Sequence, residues 1–333
     1  MSYKLRFLAS IFLFSLITFI HPESIQTVFP PLSQKVEFTE IWAYVYEGDM
    51  ANYSPERPIS DIGVFGSGLS IYGNLYGVPK RKAFSAFQGR VHLVVAEVSN
   101  SALTHFCINP DLPMRNKLIQ DILVAAQDFD GLQIDFELVQ PKDKDNFFSF
   151  LKALKEGLGD KPLSVAVPAR TRKLTSDAYD YTLLNTIVDR VIVMAYDEHW
   201  SGSKPGPIAS LEWGKRVSWW ALSCFGPEKL VMGLPFYGRA WADINPAKAY
   251  KHPSIQNLIQ EKAVTTINRE NEIPYFTYEQ PVQVTVYFDD SHSTFYRARM
   301  YQGAKVKNIA FWKIGQEDPD VWNRLSLEPN SRP

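Results

Sequence analysis

Eight short apolar runs, separated by segments of helical periodicity, restrict the folds open to this chain more than any other feature. They are EIWAYVY (40–46), DIGVFGSGL (61–69), RVHLVVAEV (90–98), FDGLQIDFEL (129–138), PLSVAVPA (162–169), RVIVMAY (190–196), KLVMGLPFYG (229–238) and NIAFWKIG (308–315). Several are nearly continuous in apolar residues, as parallel strands covered on both faces are. Between them, LIQDILVAAQDF places Leu118, Ile119, Ile122, Leu123 and Ala126 on one helical face. DNFFSFLKALKEGLG does the same with Phe147, Phe148, Leu151, Leu154 and Leu158, and Gly159 is a helix stop. STFYRARMYQG (293–303) opens on a candidate Ser cap. Eight βα units predict an α/β chain folded as a (β/α)8 TIM barrel. The alternative, an open doubly wound sheet, does not need eight strands, and its Gly-rich phosphate turn is missing from the sequence.

The stretch from Gly238 to Ser293 is too long for a barrel loop. Within it, IPYFTYEQPVQVTVYFDD alternates as an antiparallel strand pair does. A small α+β insertion is therefore expected at about 242–288, between strand 7 and helix 7/strand 8, inside a barrel covering 37–330. Residues 23–36 read as a linker. Residues 1–22 read as a signal peptide or N-terminal anchor: Lys4 and Arg6 precede an apolar run from Phe7 to Ile20, short for a membrane span of about 20 residues. The expected location is outside the cytoplasm (periplasmic, cell-envelope or secreted), with residues 7–20 as a candidate membrane tether.

A formal net charge of −1 leaves no basic excess, which argues against nucleic acid as a partner. The two cysteines, Cys107 and Cys224, form no CxxC or Cys/His cluster, so no zinc site is expected. Their pairing is not readable from spacing.

The fourth run, FDGLQIDFELV (129–139), carries charge where a buried strand should not. Alternation puts Gln133, Asp135 and Glu137 on one face and Leu132, Ile134 and Phe136 on the other. In a barrel the polar row points inward and climbs toward the C-terminal rim, with Glu137 highest. Neighbouring buried carboxylates cannot both ionise freely, so one pKa rises. A carboxyl kept protonated near neutral pH can serve as a general acid. A buried polar network or a pair of metal ligands would explain the same letters structurally.

The pattern Asp130-Gly131-x-x-x-Asp135-x-Glu137 resembles the DGxDxDxE signature of glycoside hydrolase family 18. MAYD at Met194–Asp197, LPFYGRAW at Leu234–Trp241 and Trp312 are similar to that family's sixth-, seventh- and eighth-strand segments, in the same order. YFDDSHSTFYR (287–297) is similar to the bacterial branch acting on peptidoglycan, spore-cortex enzymes included, with Arg297 where that branch has Lys. The resemblance covers about residues 38–325 and implies a retaining, substrate-assisted hydrolase, in which the substrate's own 2-acetamido group is the nucleophile. It implies Glu137 as the acid, Asp135 orienting the acetamido group, and Tyr196 hydrogen-bonding its oxygen. Asp197 and Trp312 would bind the sugar, and Tyr237, Arg239, Met194 and Gln133 would complete the substrate site. The implied partner is an N-acetylglucosamine-containing glycan, peptidoglycan or a chitin oligosaccharide, with no metal and no cofactor.

The chain departs from the family pattern twice. Gln133 replaces the first inner Asp, which predicts an altered pH dependence. LVVAEVSN stands where typical chitinases have Ser-x-Gly-Gly, which favours peptidoglycan over chitin. A catalytically silent, lectin-like barrel is the reading from another class, and the presence of Glu137 weighs against it. Among weaker candidates, His199 and Trp200 belong to a loop over the site. Trp219 and Trp220 read as packing residues, and Asp289 and Asp290 as acidic residues at a helix start.

Overall fold

The computed structural model describes residues 34–242, 245–279 and 281–329. The N-terminal segment, including the candidate signal or anchor and most of the linker, lies outside the described residues. Among these, no helix is long and apolar enough to cross a membrane.

The eight apolar runs form one closed parallel barrel. Its strands are β1 (Glu40–Val45), β2 (Asp61–Leu69), β3 (Arg90–Glu97), β4 (Gly131–Phe136), β5 (Leu163–Pro168), β6 (Arg190–Met194), β7 (Leu230–Pro235) and β8 (Asn308–Trp312). Each pairs with its sequence neighbour, and β1 pairs with both β2 and β8, which closes the ring. The helices are α1 (Ser101–Ile108), α2 (Pro113–Ala125), α3 (Lys144–Leu158), α4 (Tyr181–Leu184), α5 (Leu211–Lys229), α6 (His252–Glu261) and α7 (Ser291–Gly303). The outward rows of the strands, such as Leu132, Ile134 and Phe136 of β4, are buried in the main apolar core, which also takes Leu151 and Leu154 of α3.

The inward rows are layered. At the N-terminal end Glu40 and Asp61 are buried and accept from Arg90, and Arg190 also donates to Glu40. His92 Nε2 lies 2.8 Å from Asp61 Oδ1. These charges neutralise one another and plug the barrel floor. Above them sits an apolar layer of Trp42, Tyr44, Phe65, Val94, Ile192, Val231 and Ala310. Gly63 of β2 makes room for Tyr44: a Cβ there would lie 2.5 Å from the Tyr44 ring. Asp135 of β4 and Glu137 just past it come next, at the C-terminal mouth.

The excursion after β7 is a five-stranded antiparallel sheet. Its order is 245–251, 237–242, 283–287, 273–279, 268–270. The alternating segment does form a strand pair, Ile273–Glu279 against Gln283–Tyr287, with Glu279 opposite Gln283. The sheet begins at Tyr237, ahead of residue 242. One set of apolar side chains (Phe276, Val284, Val286, Phe288) packs with Ile255 of α6, and another (Tyr237, Trp241, Tyr287) packs with Tyr196 and Trp312.

Helix α7 starts two residues before the candidate Ser cap. Asp290 is the N-cap, accepting from Ser293 N–H at 2.8 Å, and Ser293 Oγ accepts from Asp290 N–H in return, a capping box. Asp289 is not a dipole partner. It is buried and pairs with the fully buried Arg297 at 2.8 Å. Arg297 also donates twice to the Ala209 carbonyl, tying α7 to the loop ahead of α5.

Candidate active site

Asp135 and Glu137 line one cleft of about 500 Å³ at the C-terminal mouth of the barrel. This is the end where barrels build sites from strand termini. Glu137 lies one residue past β4, and its N–H still donates to the Glu97 carbonyl at 3.0 Å, so the inward row continues. Asp135 is buried, and its Oδ1 has no hydrogen-bond partner among the described residues. Burial first, and the charge of Glu137 second, push its pKa up to about 8. Glu137 faces the open cleft. Partial burial of its carboxyl, and then the negative charge of Asp197, hold it above the ordinary range. The two carboxyls therefore retain a proton near neutral pH.

The strand ends of β6 and β8 supply the walls. Met194 closes β6, and Tyr196 and Asp197 follow it into the cleft. Gly233 of β7 leaves space for Tyr196: a Cβ would lie 3.0 Å from its ring and 2.8 Å from the Val193 carbonyl. Asp197 has φ 58°, a left-handed conformation uncommon outside glycine. Three donors fix its carboxylate: Tyr237 hydroxyl at 2.6 Å, Arg239 Nη2 at 2.7 Å and Arg239 Nε at 3.2 Å. Tyr237 and Arg239 belong to the inserted sheet, so the excursion forms one side of the site. Trp312 ends β8, edge-on to Phe65 at 4.7 Å and tilted against Tyr44 at 5.6 Å. An aromatic ring and paired carboxyls lining one cleft are an arrangement suited to a sugar ring.

Gln133, expected among the substrate-binding residues, does not line the cleft. It is fully buried one layer down, where its Nε2 donates to the Tyr44 hydroxyl at 2.7 Å and that hydroxyl lies 3.0 Å from its Oε1. A neutral amide satisfies Tyr44 without placing a third negative charge beneath Asp135 and Glu137. One packing expectation also changes. Trp219 is 57% exposed, under a Lys215 ammonium, whereas Trp220 packs on the core. His199 is held by the Pro207 carbonyl at 2.9 Å. Glu97 turns to its own loop, accepting from Ser99 N–H and Asn100 N–H. Cys107 and Cys224 are both free thiols.

Several cleft residues were not singled out in the sequence. Tyr46, one residue past β1, and Phe65, in the middle of β2, follow from strand alternation. Ser67, two residues after Phe65, is buried in the cleft wall at the β2 register shift between Val64 and Ser67, and its Oγ has no partner among the described residues. Lys251 and Gln316 reach the cleft through the return of the inserted sheet and the segment after β8, and no local pattern marks them.

The sequence profile described as "Glycosyl hydrolases family 18" matches residues 110–317. A cortical fragment-lytic enzyme from Bacillus cereus is 31% identical over 251 residues, 70% of this chain and 58% of that protein. The putative sporulation-specific glycosylase YdhD from Bacillus subtilis is 30% identical over 217 residues, 60% of this chain and 51% of that protein. The chain thus spans between half and three fifths of the length of these relatives. The crystal structure of the Bacillus cereus spore cortex-lytic enzyme SleL superposes with a TM-score of 0.78 at 25% identity, covering 89% of this chain and 76% of that one. With the profile spanning most of the barrel and the paired carboxylates in place at its mouth, the chain belongs to glycoside hydrolase family 18.

Proposed function

We propose that this protein hydrolyses β-1,4 bonds at N-acetylglucosamine in peptidoglycan, with retention of configuration, using the substrate's 2-acetamido group as nucleophile. One observation carries the reading. Of the three carboxylates lining the cleft, Asp197 is held by three donors, while Asp135 offers an unpartnered, buried oxygen beside Glu137. A two-carboxylate scheme needs a second carboxylate that is ionised and open to the anomeric carbon or to a water, whereas Asp135 is buried and burial favours its protonated form. A substrate-assisted one needs a buried acceptor for an acetamido N–H next to an acid.

Glu137 gives its proton to the glycosidic oxygen as the bond to the anomeric carbon breaks. The acetamido carbonyl oxygen attacks that carbon, forming a cyclic oxazolinium. Asp135 accepts the acetamido N–H. This hydrogen bond favours its ionised form and leaves the retained proton on Glu137. Tyr196 donates to the acetamido oxygen, Asp197 with Tyr237 and Arg239 holds the sugar's hydroxyls, and Met194 and Trp312 supply the apolar bed. Water then attacks the anomeric carbon, losing its proton to Glu137, and the amide is restored. The sugar at the cleavage point must be N-acetylated. The cortex-lytic relatives favour peptidoglycan as its source, and the run behind Lys4 and Arg6 favours action outside the cytoplasm.

The test compares the chain lacking residues 1–24 with its Glu137→Gln form on peptidoglycan and on chitin oligosaccharides. The wild type should release reducing sugars from peptidoglycan, and Glu137→Gln should lose about 10²–10⁴-fold in kcat. Equal product from both forms would overturn the acid assignment. Binding without cleavage would make the protein a glycan-binding barrel, and cleavage of chitin alone would overturn the substrate.

A further inference from the structure

Lys251 ends the inserted strand Asn245–Lys251 and lies opposite Tyr237 across the sheet. Alternation puts it on the face shared by Ala249, Tyr237 and Arg239, and all four line the cleft. The cleft's other lining cation, Arg239, is already paired with Asp197 at 2.7 Å. Lys251 has no carboxylate oxygen within 4.0 Å among the described residues. Beside it, the Gln316 carbonyl accepts from His252 N–H at 2.9 Å. Gln316 itself lines the cleft with a buried Oε1 that has no hydrogen-bond partner among the described residues. Lys251 is also the N-cap residue of α6, whose first turn adds partial positive charge.

We infer that Lys251, with the Gln316 amide beside it, recognises a carboxylate carried by the glycan. The inference rests on the peptidoglycan reading and sharpens it. An uncharged oligosaccharide offers the ammonium hydroxyl and amide oxygens but no opposite charge. An acidic glycan would pair with it, and the adjacent amide suits a substituent in which carboxylate and peptide bond lie close together. The charge balance agrees. Asp197 is paired with Arg239, and no described carboxylate of the cleft lies within 4.0 Å of Lys251, so its ammonium has no ion pair there.

The carboxylate has two sources in peptidoglycan, the lactyl group and the peptide stem. The test measures kcat/KM for wild type, Lys251→Ala, Lys251→Glu and Lys251→Arg on three substrates. They are glycan strands with stems intact, strands with stems removed to free the lactyl carboxylate, and N-acetylglucosamine oligosaccharides of matched length. In Lys251→Ala the acidic-over-neutral preference should fall about fivefold or more, in KM rather than kcat. Lys251→Glu should lower it further, Lys251→Arg should restore most of it, and added salt should shrink the difference. The acidic substrate that loses more identifies the source. An unchanged preference in Lys251→Ala and Lys251→Glu, with wild-type cleavage of peptidoglycan intact, would overturn this inference and leave the peptidoglycan reading standing. A wild type that cleaves no acidic glycan would overturn both.

Discussion

Replacing Asp135 with Asn should make the protein more stable and less active at once. The folded carboxyl has its pKa near 8, against an ordinary value of 3.8. Between those values the folded chain binds a proton that the unfolded chain has released. Stability contributed by this group is thus fully present below pH 3.8, falls as pH rises toward 8, and is flat above it. One pKa unit corresponds to about 1.4 kcal/mol, so at pH 7 the destabilisation reaches about 4 kcal/mol as a ceiling. Asn has nearly the same shape and does not ionise. Denaturant unfolding of both forms from pH 4.5 to 8 should show the advantage of Asp135→Asn growing with pH by up to that amount. Hydrolysis by the proposed mechanism, in which the carboxylate accepts the acetamido N–H, should drop about 10²–10³-fold over the same range. A stability difference that stays flat with pH would mean that Asp135 ionises as an ordinary carboxylate. The account of a proton shared between Asp135 and Glu137 would then be wrong.

Three further outcomes follow from the same geometry. Gln133→Asp restores the family's first inner carboxylate and places a like charge below Asp135, so the alkaline limb of the kcat/KM–pH profile should move upward and stability should fall. An alkaline limb that stays put would show that residue 133 is electrostatically isolated from the pair. Arg297→Ala strands the buried Asp289 and frees the Ala209 carbonyl, which should cost about 3–5 kcal/mol in denaturant unfolding, with Arg297→Lys losing less. Tyr237→Phe removes one of three donors to Asp197 and should raise KM severalfold with little change in fold, read by steady-state kinetics and circular dichroism.

The barrel was legible because its eight strands are short, apolar and regularly spaced, and strand period alone orients FDGLQIDFELV. The carboxylate row was legible for the same reason. Gln133 was not: alternation gives the face a side chain occupies but not its depth, and only the ring of Tyr44, seated against Gly63, shows that the amide is spent inside the barrel. The wall built by the inserted sheet was half legible. Tyr237 and Arg239 follow β7 directly, so their motif could be placed. Lys251 reaches the cleft only because Asn245–Lys251 folds back beside them, a long-range pairing with no local signal. Trp219 misled because an aromatic pair on a helix cannot send both rings to the same core when adjacent residues differ by about 100°.

The central claim is that the substrate supplies the nucleophile while Glu137 moves the proton. It is tested most directly by proton NMR of the first product formed from a β-linked, N-acetylated glycan, before mutarotation sets in. The account predicts that the β-anomer appears first, and that neither anomer forms with Glu137→Gln. Initial formation of the α-anomer would mean direct attack by water on the opposite face, and would contradict it.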